Sequence, residues 1–125
     1  MPICFFAPDQ GMDGLGLPHD TERLLRCLGA TGKLVGFRYV MFMVEQVLED
    51  PDRIQLITKR LYPDTGHLFG VSAVSVERAV RNLIHFCWDW TDHSFLEYVA
   101  GIPLHRAPSN SEFIDMLAGY LRHFR

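Results

Sequence analysis

Asp64-Thr-Gly-His-Leu-Phe-Gly-Val-Ser-Ala-Val-Ser-Val-Glu-Arg-Ala-Val-Arg81 is the stretch that decides the fold of this chain. It predicts a helix-turn-helix, the commonest device for laying an α-helix into the DNA major groove. Gly66 is a small residue inside the first helix, where the second must approach closely. Gly70 supplies the permissive backbone of the tight turn, and Val71 is expected to point back into the core. Ser72 is placed to cap the second helix through its hydroxyl. Val76, Ala79 and Val80 then recur at helical spacing behind it. The bland alternative for the same residues is an ordinary antiparallel helix pair.

The phase of the second helix separates these readings. At about 100° per residue, Val76, Ala79, Val80, Leu83, Ile84, Phe86 and Cys87 fall on one half of the cylinder. Glu77, Arg78, Arg81, Asn82, His85 and Asp89 fall on the other. One face suits a core, and the other presents two arginines, an amide and an imidazole. Arginine pairs with guanine O6/N7 and asparagine with adenine N6/N7, while either arginine can instead hold a phosphate. The candidate DNA-binding residues are therefore Ser75, Glu77, Arg78, Arg81, Asn82 and His85. Lys59, Arg60, His67 and Ser72 are the candidates for phosphate contact.

Charge is distributed in a way that fits. The chain has 125 residues, 48% hydrophobic and 22% charged, which is one ordinary globular domain with a core and not a disordered segment. Its net charge of −3 argues mildly against a nucleic-acid binder. Residues 53–88, however, carry Arg53, Lys59, Arg60, Arg78 and Arg81 against Asp64 and Glu77, for +3, while residues 1–52 carry −4 and residues 89–125 carry −2. The basic block contains the helix-turn-helix, as an electrostatic footprint on phosphate requires. Its modest size predicts weak, salt-sensitive affinity from a single copy.

Outside the motif, proline and glycine punctuate residues 1–18, which read as an irregular arm; residues 19–125 form the expected domain. A helix is expected from near Asp20, with Leu24, Leu25 and Leu28 on one face, stopping at Gly29 to Gly32. Lys33 to Glu49, apolar nearly all round, predicts a central helix that ends at Asp50-Pro51. Ile54, Ile57 and Leu61 mark a shorter amphipathic helix. Pro63 and Asp64 suit the first turn of the next. The recognition helix is expected to run through Trp88-Asp-Trp90, and a short helix to span His93 to Ala100, closed by Gly101 and Pro103. Ser109-Asn-Ser-Glu112 is a capping-box pattern ahead of Phe113, Leu117, Leu121 and Phe124. No strand pattern persists. The expected class is all-α, a bundle of about six helices containing the helix-turn-helix.

These residues also carry a resemblance. Ile57-Thr-Lys-Arg-Leu-Tyr-Pro-Asp64, Val76-Glu-Arg-Ala-Val-Arg81 and Pro108-Ser-Asn-Ser-Glu-Phe-Ile114, with Leu121-Arg122 near the end, resemble the DNA-binding effector domain of stage-zero sporulation protein A, the response regulator of endospore formation. Three blocks in the same order cover most of the chain from about His19 onward. The resemblance implies a six-helix bundle, sequence-specific duplex DNA binding and transcription regulation by a recognition helix reading a promoter element, and copies bound in tandem or as a homodimer. It also implies contact between about Trp90 to Arg106 and the sigma subunit of RNA polymerase. Glu77, Arg78 and Arg81 match the DNA-facing positions. The chain departs from the pattern at Ser75, where the family has arginine, at His67 and Leu68, where it has lysines, and at Asn82, which replaces a histidine. The Trp88 to Pro108 segment is a few residues shorter, and only the short arm stands where the family has a phosphoacceptor receiver domain. Phosphorylation control is accordingly expected to be absent or supplied by another chain. The competing function is a protein-interaction domain on the same scaffold, with DNA binding weakened or lost, that pairs with a full-length regulator or with polymerase.

Other chemistries find little support. Six histidines and three cysteines contain no Cys-x-x-Cys or His-x-x-x-His pair, so no metal site is expected. Cys87 and His85 fall on opposite faces, which excludes a nucleophile pair, and Glu112 is better explained by its cap than by acid–base work. No phosphate-cradling glycine loop is present. Neither an enzyme nor a cofactor is expected. Cys4, Cys27 and Cys87 sit among apolar neighbours and read as buried thiols of a reducing cytoplasm. Leu34 to Leu48, the most apolar stretch, is broken by Arg38, Glu45 and Gln46, so no membrane span is expected.

Overall fold

The computed structural model describes residues 16–124. The described part is all-α: α1 (Thr21–Cys27), α2 (Gly36–Glu49), α3 (Tyr62–Phe69), α4 (Ala73–Trp90), α5 (Ser94–Ala100) and α6 (Asn110–Arg122). The predicted arm lies outside the described residues up to position 15, as does Cys4. Leu17 and Pro18 are buried, and the Tyr120 hydroxyl donates to the Pro18 carbonyl at 3.0 Å, tying the approach to α1 onto α6.

α1, α4 and α6 start where a side chain satisfies an unpaired backbone N–H. Asp20 accepts from the Arg23 amide at 2.8 Å, and Ser72 accepts from the Ser75 amide at 3.0 Å. Ser109 and Glu112 form both halves of the capping box at the head of α6. Packed helix faces supply the rest. Val40, Met43, Val44 and Val47 of α2 meet Val76, Val80, Leu83 and Ile84 of α4 and Phe113, Ile114, Leu117 and Leu121 of α6 in one core. Full burial of such side chains stabilises by about 1.5–3 kcal/mol each before the entropy of ordering is charged. Among the described residues no buried side-chain polar atom lacks a partner. Thr21, for instance, donates to Glu45 at 2.8 Å.

Two expectations shift. The central helix begins at Gly36, not Lys33. The backbone of Gly36 lies so close to α4 that a Cβ there would sit 2.5 Å from the Ala79 carbonyl oxygen, and residues 32–35 form turns that deliver the chain to that contact. The amphipathic α-helix expected around Ile54 and Ile57 is instead a 3₁₀ segment, Pro51–Leu56, leading into a wider π-type turn, Ile57–Leu61. In the 3₁₀ segment residues three apart eclipse, so Ile54 and Ile57 share one half-buried edge. The wider turn then re-registers the chain, so that Leu61, Tyr62, Thr65 and Gly66 all face inward.

Candidate nucleic-acid interface

The helix-turn-helix is built from α3, a short turn and α4. Gly70 closes α3 in the left-handed conformation (φ 72°), and the Val71 amide donates back to the Gly66 carbonyl at 2.9 Å. Gly66 is where the turn folds back: an added Cβ would lie 2.4 Å from the Val71 carbonyl oxygen and 3.4 Å from the Ala73 nitrogen. Val71 is half-buried against the core, less deeply than its expected role implied.

α4 divides as its sequence phase predicts. Val76, Val80, Leu83, Ile84 and Cys87 are buried, and Ala79 and Phe86 are half-buried at the edge of the arc. Phe86 stacks on Trp90 at 5.6 Å between ring centroids, and Trp90 is itself exposed. Burial pushes the Cys87 thiol up to about 12, so it stays protonated and inert. On the opposite arc Ser75, Arg78, Arg81, Asn82, His85 and Asp89 are exposed.

The exposed arc is not a uniform row of free donors. The Arg81 guanidinium is ion-paired with the Glu77 carboxylate, one turn before it. Arg78 makes no ion pair among the described residues. The Ser72 hydroxyl donates to the Ser75 hydroxyl at 2.9 Å, so the capping residue and Ser75 lie together at the exposed start of α4. His67 is exposed in the last turn of α3. Lys59 and Arg60 are exposed in the π-type turn ahead of α3. The eight residues of α3 separate them from the turn by about 12 Å at 1.5 Å per residue. They closely precede Tyr62, which lies beside Glu77 and Arg81, so this basic turn borders the Arg81 side of α4.

One residue that holds this face in place carries no obvious signal in the sequence. The Asn110 amide donates to the Glu77 carbonyl at 3.0 Å and to the Tyr62 hydroxyl at 3.0 Å, so one side chain joins the start of α6 to α3 and α4. Burial raises the Tyr62 phenol, and the Asn110 hydrogen bond acts against it. Asn110 sits inside the capping-box motif, where its own role was hidden behind those of Ser109 and Glu112. The other end of α4 is fixed by His93, which adopts φ 70°. Its ring stacks on Trp88 at 3.5 Å, and Nε2 donates to the Trp88 carbonyl at 2.6 Å.

The family model described as sporulation initiation factor Spo0A C terminal matches residues 21–121, from the first residue of α1 almost to the end of α6. The chain belongs to this family. All three blocks that carried the resemblance, and the whole of the helix-turn-helix, fall inside the matched span. Membership in the Spo0A C-terminal family accounts for the all-α bundle and assigns the chain to the effector class of sporulation regulators. Among the described residues no helix is long and apolar enough to cross a membrane, and no three His, Cys, Asp or Glu residues cluster as metal ligands.

Proposed function

We propose that this chain is a sequence-specific duplex DNA-binding domain that regulates transcription by laying the exposed arc of α4 in the major groove. The observation that carries this is the division of α4 itself. Its inner arc is locked into the core while Ser75, Arg78, Asn82 and His85 stand outward, beginning at a capped helix start. Recognition helices read base edges mainly from their N-terminal turns. Ser75 and Arg78 occupy those turns, with Arg78 suited to guanine and Asn82 to adenine. Glu77 and Arg81 act as a pair that opens when Arg81 takes a base or phosphate. Ser72, His67, Lys59 and Arg60 contribute phosphate contacts that set orientation. Family membership supports the same reading. The functional unit is residues 19–125. The exposed Trp90, Tyr98 and Ile102 support a polymerase sigma-subunit contact along the α5 segment, with copies set in tandem on DNA.

The test is a fluorescence-anisotropy titration with a family-type promoter duplex and a scrambled duplex at several salt concentrations. We expect tighter binding to the promoter duplex and a log–log salt slope of roughly −3 to −5, as for about 3–5 neutralised phosphates. No binding at low salt would reject this function and favour the protein-interaction domain on the same scaffold.

A further inference from the structure

The first turns of α2 flank the recognition helix. Gly36 packs its backbone on Ala79 and Val80 of α4; a Cβ there would lie 2.5 Å from the Ala79 oxygen and 3.3 Å from the Val80 nitrogen. Ala79 is one helical turn after Ser75, on the same edge of α4. The start of α2 therefore lies along the Ser75 side of the exposed arc.

Arg38, two residues on from Gly36 and about 200° round α2, points away from the α4 contact toward the end of α3. Its guanidinium carbon lies 5.7 Å from the centroid of the Phe69 ring, and Phe69 is the last residue of α3, immediately before the Gly70 turn. The ring is itself fixed, with Tyr39 at 5.1 Å and Phe42 at 6.3 Å between centroids. Arg38 is exposed and has no carboxylate within ion-pair distance among the described residues. Arg23, Arg26, Arg53, Arg81 and Arg106 each have one. A guanidinium laid on an aromatic face keeps its N–H edge directed outward, and loses less freedom when that edge binds an oxyanion. A helix in the major groove has a phosphate backbone along each flank, and cations fixed there set register without reading sequence.

We propose that Arg38 is a phosphate-contact residue, held on the Phe69 ring at the α3 end of the helix-turn-helix so that it grips the DNA backbone beside the Gly70 turn. This rests on the DNA-binding function proposed above. It extends the basic surface to a residue from the net-acidic first part of the chain.

The experiment compares wild type, Arg38→Gln, Arg38→Lys and Arg78→Ala by anisotropy on the promoter and scrambled duplexes across a salt series. Circular dichroism melts confirm that each variant is folded. Removing one phosphate contact lowers the salt slope by about 0.9, which at about 0.1 M salt is a loss of roughly eightfold in affinity. Arg38→Gln is expected to show both changes equally on the two duplexes, and Arg38→Lys to regain most of the slope. Arg78→Ala is expected to narrow the difference between the duplexes instead. Unchanged affinity and slope in Arg38→Gln, with Arg78→Ala impaired, overturns the Arg38 contact and leaves the DNA reading standing. A loss confined to the promoter duplex also overturns it, since Arg38 would then be reading bases. Absence of binding by wild type at low salt removes both proposals.

Discussion

Glu77 and Arg81 are ion-paired one turn apart at the edge of the exposed arc of α4, where Glu77 is half-buried beside Tyr62 and Asn110. The Glu77 main chain is meanwhile held by Asn110. A carboxylate therefore occupies one of the two arginines on the face proposed to meet DNA. An exposed pair of this kind stabilises a helix by only about 0.3–0.5 kcal/mol, which is small beside a phosphate contact. On the DNA-binding reading proposed above, the pair is expected to be a weak brake on binding, since Arg81 would have to leave Glu77 and Glu77 would repel the backbone. Glu77→Gln should raise affinity for a scrambled duplex by about threefold to tenfold and steepen the salt slope by up to about 1. It should lower thermal stability only slightly. A fall in affinity on all duplexes would mean that Glu77 accepts a hydrogen bond from DNA, as from a cytosine amine.

Three glycines give a test of the architecture. A Cβ at Gly36 or Gly66 would press on backbone oxygen of Ala79 or Val71, at 2.5 and 2.4 Å, and backbone cannot swing aside as a side-chain tip can. Gly36→Ala and Gly66→Ala should each cost about 1–3 kcal/mol, in the range for overpacking. Gly70 has open space around it, so Gly70→Ala carries only the left-handed backbone penalty of about 1 kcal/mol. Urea unfolding of the three variants reports the order. A Gly70→Ala loss equal to the other two would show that close approach is not what Gly36 and Gly66 provide.

Much of this was legible in the sequence because it is local. The Gly66, Gly70 and Ser72 roles follow from backbone geometry and capping chemistry that depend on a few adjacent residues. The two faces of α4 follow from its 3.6-residue period. The start of α2 was not legible, because it is set by Ala79, far away in the chain. The 3₁₀ and π-type segments between Pro51 and Leu61 were missed for a related reason: Ile54, Ile57 and Leu61 fit a helical spacing, and only the packed core decides which turn width brings Leu61 and Tyr62 inward. Asn110 and Arg38 are also long-range. Nothing near Asn110 announces Tyr62 or the Glu77 carbonyl, and nothing near Arg38 announces Phe69.

The head of α6 gives a pH prediction. The Glu112 carboxyl is held down to about 2, below its ordinary 4.5, first by hydrogen bonds from the Arg106 guanidinium and then by the Ser109 amide. A depressed folded-state value means the contribution is fully present above about 4.5 and is lost as pH falls through about 2. Both side chains are exposed, so solvent screening keeps the contribution small. Glu112→Gln retains a capping-box side chain without the charge. The stability difference between wild type and Glu112→Gln, from urea unfolding, should therefore shrink steadily between pH 5 and about 2. A constant difference across that range would show that the charge of Glu112 does not contribute.

Ser75 offers the sharpest test of how α4 meets DNA. It is the third residue after the Ser72 cap, exposed, and joined to Ser72 through both its amide and its hydroxyl. Only the hydroxyl contact is lost in Ser75→Arg; the amide remains to be capped. Arginine has the better helix propensity, whereas a cation near a helix N-terminus opposes the dipole by about 0.3–1 kcal/mol, so the two effects nearly cancel in stability. Binding should change much more. A serine hydroxyl accepts or donates and selects no base strongly, while arginine bonds guanine O6 and N7 together. If Ser75 lies over a base edge, Ser75→Arg should tighten binding to a guanine-bearing site by about 1–3 kcal/mol and impose guanine at one position. Selection from randomised duplexes with both proteins reads this directly. A uniform gain on every sequence would put residue 75 against phosphate, and identical motifs and affinities would move it away from the DNA altogether, so that the approach of α4 to the groove would have to turn toward Asn82 and His85.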